Sequence, residues 1–231
     1  MSEIDLPADH PRYASLLTRH RIEDGVEKGI TSKQGLIAQG RGEAFDYLLG
    51  EQTIPSADRA ERAAAAQLLL ADHPVLSVNG NVAALVAPEI VDLAAVVDAD
   101  IEVNLFNRTE KRMEAIAAHL REHGADAVKG LTADGRIPNL SHERAKVDAD
   151  GIGAADVVVV PLEDGDRAEA LADLDKTEIV IDLNPLSRSA QTAATPIVDN
   201  IMRAVPTMTE HAAELQGSAS EALHPIVDQF A

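Results

Sequence analysis

Cysteine is absent from the sequence, which excludes a disulfide framework, a thiol nucleophile and thiolate metal sites. No apolar run approaches the ~20 residues that a membrane-spanning helix requires, so no membrane partner is expected. The opening MSEIDLPADH is acidic and lacks an apolar core; no signal peptide is expected, and the chain reads as cytoplasmic. No basic stripe runs along it, which argues against nucleic acid, because phosphate backbones are held by clustered Lys and Arg. The 8 histidines are scattered along the chain, and zinc has little support. A GxSxG nucleophile elbow and a GxGxxG dinucleotide turn are missing as well. Aromatic residues make up only 2% of the chain, two Tyr and three Phe, and this makes Phe45 and Tyr47 in GLIAQGRGEAFDYLLGE conspicuous.

Acidic side chains, by contrast, are abundant. With 39 Asp and Glu against 20 Lys and Arg the formal charge is −19. Self-repulsion of that size opposes compaction unless salt screens it, so the expectation is a halophilic protein of a high-salt cytoplasm.

Hydrophobic periodicity divides the chain near residue 74. Residues 1–73 read as an N-terminal helical region packed on the core, residues 74–217 as an α/β domain, and residues 218–231 as a weakly packed tail. The expected helices of the first part start near His10-Pro11, at the capping-box spacing TSKQ (Thr31 to Gln34), at the glycine-rich Gly40 and at Ser56. In the second part, strands are expected at 74–80, 101–106, 126–128, 156–161 and 178–184. Helices are expected at 88–97, 108–123, 166–174 and 196–216. Strands alternating with helices imply a parallel sheet with helices on both faces. Such sheets bind ligands beyond the carboxyl ends of their strands, at a topological switch point. That selects Asn79-Gly80-Asn81, Asn104 to Asn107, Leu162-Glu163-Asp164 and Asp182-Leu183-Asn184.

Each position has competing readings. Asn79-Gly80-Asn81 either offers amides to an anion or is an ordinary strand-to-helix turn. LFNRTEKR has the character of an NADP ribose-phosphate loop, but Asn107 and Glu110 also suit a helix cap. In IDLNPLSRSAQTA, Asp182 and Asn184 can grip hydroxyls or ring nitrogens, while Arg188 and Ser189 suit phosphate oxygens. PLEDGDR presents Glu163, Asp164 and Asp166 either to magnesium or to a turn. From His10 to Tyr47 the charges nearly cancel, so Arg12, Arg19, Arg21, Lys28, Lys33 and Arg41 make this region electropositive for the chain. Gly40 and Gly42 let backbone approach a phosphate while Arg41 forks onto it; Glu43 and Asp46 are placed to orient that arginine, and Phe45 and Leu48 to anchor the helix.

HPRY, GLIAQGRGEAFDYLLGE, SVNGNVAALV, EVNLFNRTEKR, VVPLEDGDR and IDLNPLSRSAQTA with PIVDNIMRAVP occur in this order. Together they resemble the archaeal phosphopantothenate synthetases, the 4-phosphopantoate–beta-alanine ligases, from about His10 to Pro206. The resemblance implies a Rossmann-like fold, a homodimer, and ATP-dependent synthesis of 4'-phosphopantothenate through an acyl-adenylate, with ATP and Mg2+ as cofactors and 4-phosphopantoate and β-alanine as substrates. Carried over by position, ATP would meet Arg19, Arg41, Asp182, Leu183, Asn184, Arg188, Ser189, Asp199 and Asn200. Arg19 and Arg41 would also be the catalytic pair. The strand-end rule then leaves Asn79, Gly80 and Asn81 for the pantoate. The family's stretch usually reads AHGRGEAFDYL, whereas this chain has Gln39 where the histidine would be. The alternatives are an NADP-dependent Rossmann oxidoreductase and a non-catalytic nucleotide-sensing module.

Overall fold

A computed structural model of the chain describes residues 7, 9, 10, 12–162 and 165–230. In chain order the elements are α1 (Tyr13–Glu27), α2 (Lys33–Leu49), α3 (Pro55–Leu70), β1 (Pro74–Val78), α4 (Gly80–Val97), β2 (Asp100–Val103), α5 (Glu110–Glu122), β3 (Gly135–Arg136) and β4 (Lys146–Val147). Then follow β5 (Val157–Pro161), α6 (Gly165–Ala172), β6 (Thr177–Ile181), α7 (Arg188–Thr192), β7 (Thr195–Ile197), α8 (Ile201–Leu215) and α9 (Ser220–Asp228). Five strands pair in parallel in the order β2-β1-β5-β6-β7, the α/β, Rossmann-like arrangement expected. The fifth strand is not the one anticipated. Residues 126–128 contribute only a single bridge beside them, Glu102 to Lys129, whereas Thr195–Ile197, expected at the start of a helix, closes the sheet.

The strands are largely apolar because both faces are covered. Leu76, Val78, Val159, Ile179 and Ile181 face a core shared with Ile22, Leu68, Leu93, Ile116 and Met208. Val75, Val158, Val160 and Val180 face a second core with Leu171. That second face is completed largely by the polar excursion 130–155, which inserts Ile137, Leu140, Val147 and Ile152. Its anchor is Glu102 of β2, fully buried, whose carboxylate accepts the backbone N–H groups of Asp148 (3.1 Å) and Ile152 (2.7 Å). Burial pushes the Glu102 carboxyl up to about 7, against the pull of those two donors.

α4 begins at Gly80, eight residues before the expected Pro88. It is continuous but for a kink at Val86, two residues ahead of a proline that has no N–H to donate. Arg21 of α1 donates to the Leu85 carbonyl at this kink. Among the described residues α4 alone is long and apolar enough to cross a membrane, and its place here is the core, against α1, α3, α5, α8 and the sheet. The expected tail is also helical: α9 lies on α3 and buries Leu223.

Two expectations for the N-terminal region are corrected. TSKQ does not form a capping box: Ser32 is the N-cap without a side-chain bond, and the Thr31 hydroxyl instead donates to Asn81. No second helix starts at Gly40 either, because α2 runs unbroken through Gly40-Arg41-Gly42. Glycine in a helix interior costs roughly 0.5–1 kcal/mol relative to alanine. At one of the three α2 glycines, Gly35, close packing accounts for it. A Cβ on Gly35 would lie 2.3 Å from Asn81 Oδ1, whereas one on Gly42 would lie 3.4 Å from Asn200 Nδ2.

Candidate active site

The strand order reverses between β1 and β5, and the chain marks that point with Asn79. Its side-chain N–H donates to the Pro161 carbonyl across the reversal (3.0 Å), while its Oδ1 accepts from the backbone N–H of Asn81 and Val82, capping α4. Those two amides are thereby taken up; the turn does not hold them out to an anion as one reading of Asn79-Gly80-Asn81 required. Leu162, at the exit of β5, adopts the left-handed region (φ 54°), a conformation that costs a non-glycine residue energy and clusters at functional sites.

Helix α2 lies over these strand ends. Asn81 Nδ2 donates to Gly35 O (3.1 Å), Gly42 approaches Leu183 and Asn200, and Asp46 accepts from Asn200 (2.9 Å) and Arg203 (2.8 Å). Between α2, the start of α4 and the exit of β2 opens a cleft of about 270 Å³. Its wall includes Arg41, Asn79, Gly80, Asn81, Arg112 and Arg144. In a chain with 39 acidic residues, the described residues that line this cleft include three arginines and no carboxylate. Such a surface attracts anions whatever the net charge, because the local field is set by the nearest groups.

Sequence reasoning placed Arg41, Asn79, Gly80 and Asn81 here but missed Arg112 and Arg144. Arg112 lies within EKR, which reads as a solvated helix start. Arg144 comes from the excursion, far from any expected strand end. Asn104, at the exit of β2, brings Arg144 in by donating to the carbonyls of Arg144 (3.2 Å) and Lys146 (3.0 Å). Arg108, whose loop suggested NADP, donates instead to the carbonyls of Gly130 (2.6 Å) and Leu131 (3.2 Å). The cap of α5 is Thr109 rather than Asn107.

The remaining predicted residues lie outside this cleft. Leu183 and Asn200, with Gln39 and Gly42, line a smaller adjoining cavity of about 20 Å³ that shares Ala38, Asn81 and Leu162 with it. Asp182 accepts from the Ser187 hydroxyl (2.5 Å) and the Asn184 N–H (3.1 Å), which folds the loop after β6. Ser189 is buried and Asp199 accepts from Thr53 (2.6 Å) and Arg203. Arg188 pairs with Asp166 and Glu169. Arg19 is drawn into an ion pair with Glu43, which also accepts from Arg12 (3.0 Å) and the Tyr47 hydroxyl (2.6 Å). Glu43 and Asp46 therefore have partners other than Arg41, and Leu48, expected to anchor the helix, is 85% exposed. The electropositive region is thus partly neutralised within itself, and Arg41 remains as a cation facing the cleft. Glu163 and Asp164 lie outside the described residues, and Asp166 is paired with Arg188. Among the described residues no group of three Asp, Glu or His side chains fits a metal ion.

A parallel α/β sheet with an arginine-lined cleft at its switch point defines a Rossmann-like protein. Residues 56–231 match the model of the phosphopantothenate/pantothenate synthetase family, and the chain belongs to that family. It is 55% identical to the 4-phosphopantoate--beta-alanine ligase of Thermococcus kodakarensis over 228 residues, 98% of this chain and 87% of that protein. Identity to the protein of the same name from Thermococcus onnurineus is 57% over 228 residues, with the same coverage. For that of Methanosarcina mazei it is 54% over 226 residues, 98% of this chain and 89% of the relative.

Proposed function

We propose that the protein is a 4-phosphopantoate–β-alanine ligase that works through an acyl-adenylate. The observation that carries this reading is the switch-point cleft whose wall includes Arg41, Arg112 and Arg144. The acid's carboxylate oxygen attacks the α-phosphorus of ATP; a C–O–P bond forms, the bond to the β-phosphate oxygen breaks, and pyrophosphate leaves. The amine of β-alanine then attacks the carbonyl carbon, loses a proton, and expels AMP as the amide forms.

Two polyanions must come together for the first step, and an in-line approach between them is opposed by their own charges. Guanidinium groups at the meeting point lower that repulsion in the ground state and more so in the transition state. In this reading the nucleotide lies toward the loops after β6 and β7, where Asp182, Leu183, Asn184, Ser189 and Asn200 sit, and the acid lies in the cleft on the β1–β2 side. Arg41 projects from the helix that spans both. Because the described side chains do not make a metal cage, magnesium would arrive as the counter-ion of ATP, and no step is assigned to it.

Purified protein given ATP, 4-phosphopantoate and β-alanine in high salt should release one AMP per amide formed. ADP in place of AMP would reject the adenylate route. Stabilisation by NADPH but not by ATP in a thermal melt would instead favour the oxidoreductase.

A homodimer belongs to the same proposal. The outward face of α2 leaves Ile37 70%, Tyr47 63% and Leu48 85% exposed beside Arg41, a combination that a second copy would cover. Equilibrium sedimentation in high salt should return twice the 24.5 kDa chain mass, and Leu48→Glu should shift it toward the monomer. A parent that sediments at the single-chain mass at all concentrations removes the dimer.

A further inference from the structure

We propose that Arg203 of α8 is a positioning residue of the nucleotide site: by gripping Asp46 of α2 and Asp199 of the turn after β7 at once, it fixes where Arg41 stands relative to that turn. This rests on the reading above, in which the turn meets the nucleotide.

The residues that α2 buries are two glycines and Asp46. On the nucleotide side of the sheet the helix is therefore attached through a carboxylate rather than an apolar face. Both oxygens of that carboxylate are used: Oδ2 accepts from the Asn200 side-chain amide (2.9 Å) and Oδ1 from Arg203 Nη2 (2.8 Å). Burying a carboxylate is costly unless its oxygens are occupied in this way, so the attachment specifies one seating of the helix.

The same Nη2 also donates to Asp199, four residues earlier in the chain. Asp199 is buried and accepts in addition from the Thr53 hydroxyl (2.6 Å) and the Asn200 N–H (2.6 Å). The end of β7 is fastened in turn to the loop after β6, because the Asp182 N–H donates to the Ile197 carbonyl (3.0 Å). One guanidinium thus joins α2 to both loops assigned to the nucleotide. Gly42 lies against the Asn200 amide within this joint, and Arg41 is the residue before it.

Charge explains why the joint needs an arginine. Glu61 of α3, raised by burial and by Asp199, is a neutral acid at pH 7. Asp46 and Asp199 are then two carboxylates held on one guanidinium. Without it they repel each other across the gap that seats α2. Packing explains why the loss is felt in position rather than in folding: α8 is anchored in the core by Ile201, Ala204, Val205 and Met208, independently of Arg203.

Calorimetric titration with ATP, steady-state kinetics and a thermal melt, all at one salt concentration, test this on the parent, Arg203→Gln, Asp46→Asn and the double variant. Arg203→Gln should weaken ATP binding about tenfold, the scale on which members of one hydrogen-bonded network couple, with the KM for β-alanine unchanged. Adding Asp46→Asn removes one of the two opposed carboxylates, so the double variant should bind ATP better than Arg203→Gln alone, within about threefold of the parent. A merely structural role predicts the opposite, since two lesions would add and affinity would follow the melting temperature. If Arg203→Gln does not fold, Arg203→Lys, which keeps the charge without the planar fork, should show a smaller loss confined to ATP. Unchanged ATP affinity in Arg203→Gln, a double variant weaker than either single one, or equal losses for ATP and β-alanine would overturn the assignment. The AMP assay separates the two levels. A parent whose ATP affinity depends on Arg203 in this way yet forms no AMP keeps the positioning role and loses the ligase reading; a parent that forms AMP with an ATP affinity indifferent to Arg203 does the reverse.

Discussion

Arg41→Ala should lower kcat/KM for AMP formation about a hundredfold to a thousandfold, the range seen when a donor aimed at transition-state charge is removed, and should leave the fold intact. The asymmetry follows from where Arg41 sits. It lies mid-helix on the outer face of α2, exposed, in the wall of the cleft, with Glu43 and Asp46 committed to other partners. Removing it breaks no ion pair, and alanine between Gly40 and Gly42 suits a helix at least as well as arginine.

Activity should suffer because α2 crosses from the cleft to the loops after β6 and β7, touching Asn81 at one end and Leu183 and Asn200 further on. A cation on that span lies between the two proposed anions. Arg41→Lys should recover only part of the rate, since an ammonium supplies charge without the planar fork. Steady-state kinetics with each substrate varied, beside a thermal melt, give both readings. A drop of less than threefold in kcat/KM with the melting temperature unchanged would remove Arg41 from the reaction, whereas a large fall in melting temperature would make it a structural residue.

The parallel sheet was legible because strands buried on both faces write near-continuous apolar runs, as in PVLSV and VVVVP, and the loops at their ends carry polar groups. Three parts escaped that logic. Thr195–Ile197 is too short, and too close to Pro196, to outweigh the helical pattern after it. The excursion 130–155 looks polar because its few apolar residues are widely spaced, and only the buried Glu102 carboxylate shows why it docks. Gly40-Arg41-Gly42 suggested the start of a separate helix because glycine weakens helix interiors, but α2 runs through it, and Gly35 lets that helix approach Asn81 more closely than any side chain would allow. In the site, residues adjacent to strand ends were found from sequence, while Arg112 and Arg144 were not. One is a first-turn helix residue that reads as solvated and the other arrives through tertiary packing, so neither has a local signature.

Glu61→Gln should abolish a fall in stability that the parent shows between about pH 4.5 and pH 8. Glu61 of α3 is fully buried, and neither of its carboxyl oxygens has a hydrogen-bond partner as an acceptor. Burial, with Asp199 and Asp58 nearby, pushes its pKa up to about 8, against the opposing pull of Arg203. At neutral pH the side chain is therefore a neutral acid, able to donate its proton toward Asp199. Because the folded state holds this proton more tightly than the unfolded chain, folding is favoured in full below the unfolded pKa. The advantage drains away as pH rises through the folded value, and above it the contribution is flat. The displacement corresponds to on the order of 5 kcal/mol of unfolding free energy, large against the roughly 5–15 kcal/mol that holds a typical domain together. Glutamine keeps the shape and a donor but cannot ionise. Urea titrations from pH 5 to pH 9 at constant salt should give curves for parent and variant that nearly agree at pH 5, diverge steadily up to about pH 8 and run parallel beyond it, with the variant more stable. Glu102, also raised, titrates in both proteins and cancels in the difference. The separation should extend to function: Asp199 adjoins Asn200 and receives Thr53 and Arg203, so ionising Glu61 places a further negative charge beside the turn proposed to meet the nucleotide. The KM for ATP should then climb above pH 8 in the parent and stay level in Glu61→Gln. Parallel stability curves across the whole range would mean that Glu61 is ionised in the folded protein and balanced by Arg203.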